Sequence, residues 1–103
     1  MNTREILVAA RELISEPERW TQGEHARDLN GRRVSPGGPN AVCWCSLGAL
    51  EKVADGSPPH VAHAVLQYAV RTRVSQFNDG TDHAAVLAMF DRAIESCDGG
   101  ENG

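Results

Sequence analysis

Two thiols, Cys43 and Cys45, stand near the middle of a 103-residue chain and are the first candidates for chemistry. A thiolate nucleophile needs a lowered pKa, from a helix N-terminus or a neighbouring histidine. Helical spacing fits residues 40–54, which places both thiols in the first turns, where the helix dipole favours the thiolate. Cys45 borders the polar arc of that helix and is the better candidate. His25 is a candidate base, and Asp79 would complete a Cys–His–Asp group. No spacing along the chain brings the three together, and no nucleophile signature surrounds either cysteine. A buried cysteine commonly behaves as a small hydrophobe, and that reading is the stronger.

Other residue types could serve metal, acid–base or recognition chemistry. Zinc usually takes four Cys and His ligands in paired spacings. Cys43 and Cys45 would point about 160° apart on a helix, so they cannot share an ion there. His60 and His63 share a face, and His25 and His83 could join them. Exposed helix-surface histidines explain that pattern better, and no metal is expected. Asn78-Asp79 with Thr81-Asp82 could position water, bind a cation or act as acid or base. Helix capping and an Asx-turn account for the same residues. Trp20, Trp44 and Phe77, with Tyr68, either line a partner surface or complete the core. Trp20, Trp44, Phe77, Asn78 and Asp79 are the candidate binding residues. Gly37-Gly38 is too short for a phosphate loop and lacks the following Lys-Ser/Thr; no cofactor is expected.

The elements that must position these groups are mostly helical. Thr3 to Glu16 predicts a first helix, capped by Thr3, with Ile6, Leu7, Ala10, Leu13 and Ile14 as its inner stripe. Pro17 ends it or opens a short extra turn carrying Trp20. Asn30-Gly31 between short extended runs predicts a β-hairpin over 26–35 with a type I′ turn. Ser35 to Pro39 is a turn-rich linker. The apolar arc of 40–54 spans roughly 200°, against about 100° for an ordinary surface helix, so this helix is read as central. Asn40 is its cap, and Asp55-Gly56 its stop. Gly48 in its middle implies close approach of a backbone or a tryptophan ring. A third helix is expected over 57–73, with Ser57 as cap and Pro58 in first position. A loop follows over 75–80, then a last helix over 82–97.

Composition bounds the rest. One small domain is expected over 1–97, with a disordered tail over 98–103. At 41% hydrophobic residues and five aromatics, the core must be mainly aliphatic. A net charge of -4 argues against general nucleic-acid binding, which needs a basic stripe. A local cluster such as Arg27, Arg32 and Arg33 could still meet an acidic partner. Glu5 and Glu12 interrupt the N-terminal apolar residues, unlike a signal peptide. The apolar run Ala41 to Leu50 is about half the ~20 residues that span a bilayer. No membrane association is expected, and the cytoplasm is the expected location. The odd cysteine count favours reduced thiols.

Several segments together resemble a family of small bacterial and phage-encoded proteins known only as a domain of unknown function. They are Trp20-Thr-Gln-Gly23, Ala26-Arg-Asp-Leu-Asn-Gly31, Trp44-Cys-Ser-Leu-Gly-Ala-Leu50, Phe77-Asn-Asp79 and Val86-Leu-Ala-Met-Phe-Asp-Arg-Ala-Ile94. The resemblance covers most of the chain in order. Thr81-Asp82 stands where family members often have Arg-Thr after a longer loop. The resemblance brings no activity, but its pattern implies that Trp20, Cys45, Gly48, Asn78 and Asp79 form one spatial group.

The resulting expectation is a mainly α domain: four helices around the segment 40–54, with a small hairpin at one edge. The leading function is a non-enzymatic binding or accessory protein with a protein partner, in a phage or mobile-element setting. The alternatives are a Cys-dependent enzyme using Cys45 with a histidine and Asp79, and a small-molecule or metal-binding module. Short apolar helices and a marginal hairpin also admit a homodimer that completes the core.

Overall fold

The computed structural model describes residues 1–101, with side chains through residue 97. The chain is mainly α, as expected. Its order is α1 (Thr3–Leu13), a 3₁₀ turn (Pro17–Arg19), β1 (Ala26–Arg27), β2 (Cys43–Trp44), α2 (Ser46–Ala54), α3 (His60–Val70), α4 (Val74–Gly80) and α5 (His83–Glu101).

α1 packs most extensively on α2 and α5, and α3 lies against α5. The core between them is mainly aliphatic, as the composition requires: Leu7 and Ala10 from α1 with Ile14 at its C-cap, Leu50 from α2, Leu66 from α3, and Val86, Met89 and Phe90 from α5. Arg11 Nη2 donates to Asp91 Oδ2 at 3.2 Å and joins α1 to α5 at the surface.

Helix boundaries follow local chemistry, and several differ from expectation. Asn2, not Thr3, caps α1. Its Oδ1 accepts from Glu5 N at 2.8 Å while Glu5 Oε1 accepts from Asn2 N at 2.9 Å, a reciprocal capping box. α3 starts at His60 with Pro59 as its cap, so Ser57 and Pro58 lie outside it. The reason is Pro59, which disfavours helical backbone at the residue before it. Arg71 ends α3 in the left-handed region at φ 57. The expected loop over 75–80 is a fifth helix, α4, with Val74 and Asn78 buried one turn apart. Asp82 caps α5 through Oδ1, which accepts from Ala85 N at 2.8 Å. α5 runs to Glu101, past the expected end at Cys97. Of the expected tail 98–103, the side chains and all of residues 102–103 lie outside the described residues.

The largest correction concerns residues 40–45. They are not helical: Asn40 lies in a turn, Cys43–Trp44 are strand, Cys45 is extended, and α2 begins only at Ser46. Val42 N donates to Arg27 O at 2.9 Å, and Cys45 N to His25 O at 3.1 Å. β1 and β2 pair antiparallel, with Ala26 opposite Trp44 and Arg27 opposite Cys43. Short apolar runs read equally as helix or strand, and here a pairing partner from residues 25–27 decides.

The hairpin over 26–35 exists in reduced form. Asp28 N donates to Arg32 O at 2.9 Å and Val34 N to Ala26 O at 3.1 Å. Its turn is not type I′. Gly31 N donates to Asp28 O at 2.9 Å, and of the pair Asn30-Gly31 only Gly31 has positive φ, at 80. The turn is therefore centred one residue earlier, on Leu29-Asn30. Asp28 Oδ1 holds it by accepting from Asn30 N and Arg32 N at 2.9 Å each. Trp20 bridges the far side of Trp44, so β2 sits between residues 20–21 and β1 of the hairpin.

Candidate functional site

Asn78 lies at the centre of the candidate residues. It is fully buried on α4. Its Oδ1 accepts from Trp20 Nε1 at 2.8 Å, Ser46 N at 2.9 Å and Ser46 Oγ at 2.7 Å. Its Nδ2 donates to Thr21 O and Asp79 Oδ1 at 3.0 Å each. The partners fix the amide orientation, because Ser46 N and Trp20 Nε1 can only donate and Thr21 O can only accept. One side chain thus joins α4, the start of α2 and the strand-like segment at Trp20.

The residues around it extend the same seam. Gln22 Nε2 donates to the carbonyls of Asn78, Asp79 and Thr81 at 2.9 to 3.3 Å, closing the C-terminal end of α4. Asp79 Oδ1 accepts from Gly23 N at 2.9 Å. Arg27 reaches back to Thr21 Oγ1, Gln22 O and Gly31 O at 2.9 to 3.0 Å. Arg27 is therefore an internal brace rather than a free cation.

Cys45 joins this group as the N-cap of α2. Its Sγ accepts from Gly48 N at 3.4 Å. The residue is 5% exposed, and burial pushes its thiol pKa up, with the charges of Asp79 and Glu51 adding to the shift. The helix N–H groups pull the other way and are outweighed. Gly48 sits where the backbone of residue 25 crosses α2. A Cβ there would lie 1.8 Å from His25 O, so the close approach is to a backbone and not to a ring. Trp20, Asn78 and Asp79 do form one spatial group through direct bonds, and Cys45 and Gly48 adjoin it through Ser46.

The candidate base does not meet the thiol. His25 Nδ1 contacts Glu51 Oε1 at 2.8 Å, with both side chains about half exposed. Among the described residues, no hydrogen bond joins Cys45 Sγ to a histidine. His25 instead lines a cleft of about 270 Å³ with Leu47, Leu50, Glu51, His60 and His63. His83 is apart from it, with Nε2 2.7 Å from Ile14 O at the end of α1 and its ring tilted against Trp20 at 5.6 Å. Among the described residues, no group of three or more His, Cys, Asp or Glu is placed to hold a metal ion.

The aromatic candidates divide. Trp44 is 5% exposed and donates Nε1 to Pro36 O at 2.9 Å, so the linker wraps over it. Trp20 and Phe77 are half-buried against the core. Tyr68, which the sequence places only at the margin of α3, is 76% exposed. Val61 corrects the sequence expectation: helical spacing turns it inward with Val65, Leu66, Ala69 and Val70, but it is 62% exposed, because it stands at the edge of that arc while the buried Ala62 and Leu66 lie near its centre.

This architecture is a small mainly α domain whose irregular middle is knotted to α4 by polar side chains. The chain belongs to the family of unknown function DUF6197, whose model matches residues 1–96. No curated protein and no solved structure matches it. No helix among the described residues is long and apolar enough to cross a membrane.

Proposed function

We propose that this chain is a non-enzymatic binding or accessory protein with a protein partner. The observation that carries the reading is the sealed Cys45. Its sulfur caps α2, its pKa is raised by burial, and the nearest candidate base faces Glu51 instead. Asn78 and Asp79, two further candidates, are engaged in holding α4 to residues 20–23. These residues fit a structural account, which leaves the outer surface for function. The unbridged state of all three cysteines supports a cytoplasmic location. The resemblance to bacterial and phage-encoded proteins supports a mobile-element setting.

The test is alkylation of the native protein by iodoacetamide across pH, read for each cysteine by mass spectrometry. Cys45 should stay protected until the protein unfolds. Rapid modification of native Cys45 with an apparent pKa well below ~8.5 would overturn the reading in favour of a thiol enzyme.

One observation favours a small-molecule module as the second reading. The cleft at His25 and Glu51 combines an apolar floor, Leu47 and Leu50, with an oriented His–Glu pair. At about 270 Å³ it would admit only a small ligand. A fragment screen by NMR, with shifts mapped to these residues, tests it.

A further inference from the structure

The outer face of α3 carries large side chains that the fold leaves in water. Val61 is 62% and Tyr68 76% exposed, and they stand two turns apart on one stripe. The core takes Ala62 and Leu66 from the opposite face of the same helix. The Arg71 guanidinium lies over the Tyr68 ring, 5.9 Å from its centroid. Two shallow hollows meet at this pair. One, about 990 Å³, runs along α3 from His60 to Arg73. The other, about 290 Å³, lies between α3 and α5 and is edged by Arg92. No carboxylate lines either hollow. Among the described residues, Arg71, Arg73 and Arg92 form no ion pair. Three cations are thus grouped around an exposed ring in a chain of net charge -4.

The backbone adds a second observation. Arg71 holds φ 57, ψ 31, the left-handed conformation in which helices usually end on glycine. A Cβ crowds the neighbouring carbonyl there, and strain of this kind clusters at functional positions.

We propose that this face docks an acidic polypeptide segment that carries carboxylates around an apolar anchor. The proposal rests on the binding reading above and names its surface and partner class. Arginine pairs with carboxylates bidentately, and tyrosine and arginine dominate binding energy at interfaces. Nucleic acid is the competing polyanion; the exposed Val61 and Tyr68 favour a partner that carries an apolar anchor, which a sugar–phosphate backbone lacks.

The experiment titrates the full chain into a short fluorescein-labelled peptide of glutamate and leucine at helical spacing, read by anisotropy. A lysine-for-glutamate peptide and a short single-stranded oligonucleotide are the comparators. The glutamate peptide should bind, more weakly as salt rises, and the comparators should not. The double variant Arg71→Ala, Arg73→Ala should weaken binding at least about tenfold, and Tyr68→Ala less. Arg19→Ala, exposed on the 3₁₀ turn, should leave binding unchanged. Arg71→Gly suits the backbone, so it should raise the unfolding midpoint while weakening binding. This variant separates a functional arginine from a structural one. Failure of the glutamate peptide to bind, binding indifferent to Arg71 and Arg73, or preference for the oligonucleotide would each overturn this surface. The alkylation result for Cys45 would be unaffected, so the two readings fail separately.

Discussion

The seam around Asn78 and the outer face of α3 are built on opposite principles. At the seam both polar atoms of the Asn78 amide have internal partners, and this single side chain makes bonds to Trp20, Thr21, Ser46 and Asp79. On α3 an arginine, a tyrosine and a valine are held at the surface, where the fold asks nothing of them. The seam looks like an active site in the sequence, with tryptophan, cysteine, asparagine and aspartate in short motifs. The face looks like nothing. A buried polar group must be satisfied or it costs stability, so residue types suited to catalysis are equally suited to holding an irregular segment in place.

That contrast can be broken at its strongest point first. Gly48→Ala would drive a methyl group into the His25 carbonyl, a backbone atom that cannot rotate away. We expect a loss of at least about 3 kcal/mol, measured by urea unfolding, or no folded protein. Asn78→Ala should come next. It strands the Trp20 indole N–H, the Ser46 amide and hydroxyl, and the Thr21 carbonyl. At ~1–3 kcal/mol for each fully buried group left unmet, the Ser46 amide and hydroxyl set the scale, because the Trp20 and Thr21 groups are only part-buried and can reach water; a total loss of about 3 kcal/mol is expected. If the variant unfolded at the wild-type midpoint, the seam would not be structural.

The cysteine sharpens the comparison through pH. Burial raises the Cys45 pKa above its unfolded value, so the folded state holds that proton more tightly. Its contribution to stability is fully present below the unfolded pKa, near ~8.5, and is lost as pH rises through the folded value. Stability should therefore fall above about pH 8.5. Cys45→Ser keeps a cap at α2 and removes the titration, so it should flatten that decline. Equal slopes for the two proteins, in unfolding curves taken from neutral to alkaline pH, would remove Cys45 from the account. At the small end, His25→Ala should cost less than about 1 kcal/mol, because its pair with Glu51 is half exposed and screened. Tyr68→Ser should change stability by no more than about 0.5 kcal/mol, in keeping with a side chain that serves contact and not the core.

Much of the fold was legible. The inner stripe of α1, the extra turn after Pro17 and the cap of α5 at Asp82 all follow from periodicity and capping chemistry. The grouping of Trp20, Asn78 and Asp79 was legible only through the family pattern, because no local rule relates residues so far apart. α4 was missed because Asn-Asp-Gly is turn chemistry by composition. Buried bonds to Asn78 override that preference.

The sequence by itself determined the aliphatic core, the mainly helical class, the presence of a hairpin around Asn30-Gly31 and the tight contact at Gly48. All of these rest on local propensity, hydrophobic period or side-chain volume, which are properties of short windows. Only the tertiary structure decided whether residues 41–45 would be helix or strand, whether Cys45 would be reactive or sealed, and which apolar stripe of α3 would meet water. Each of those depends on what packs opposite: the carbonyls of His25 and Arg27 for the strand, burial for the thiol, and the contact with α5 that turns Leu66 inward and leaves Tyr68 outside.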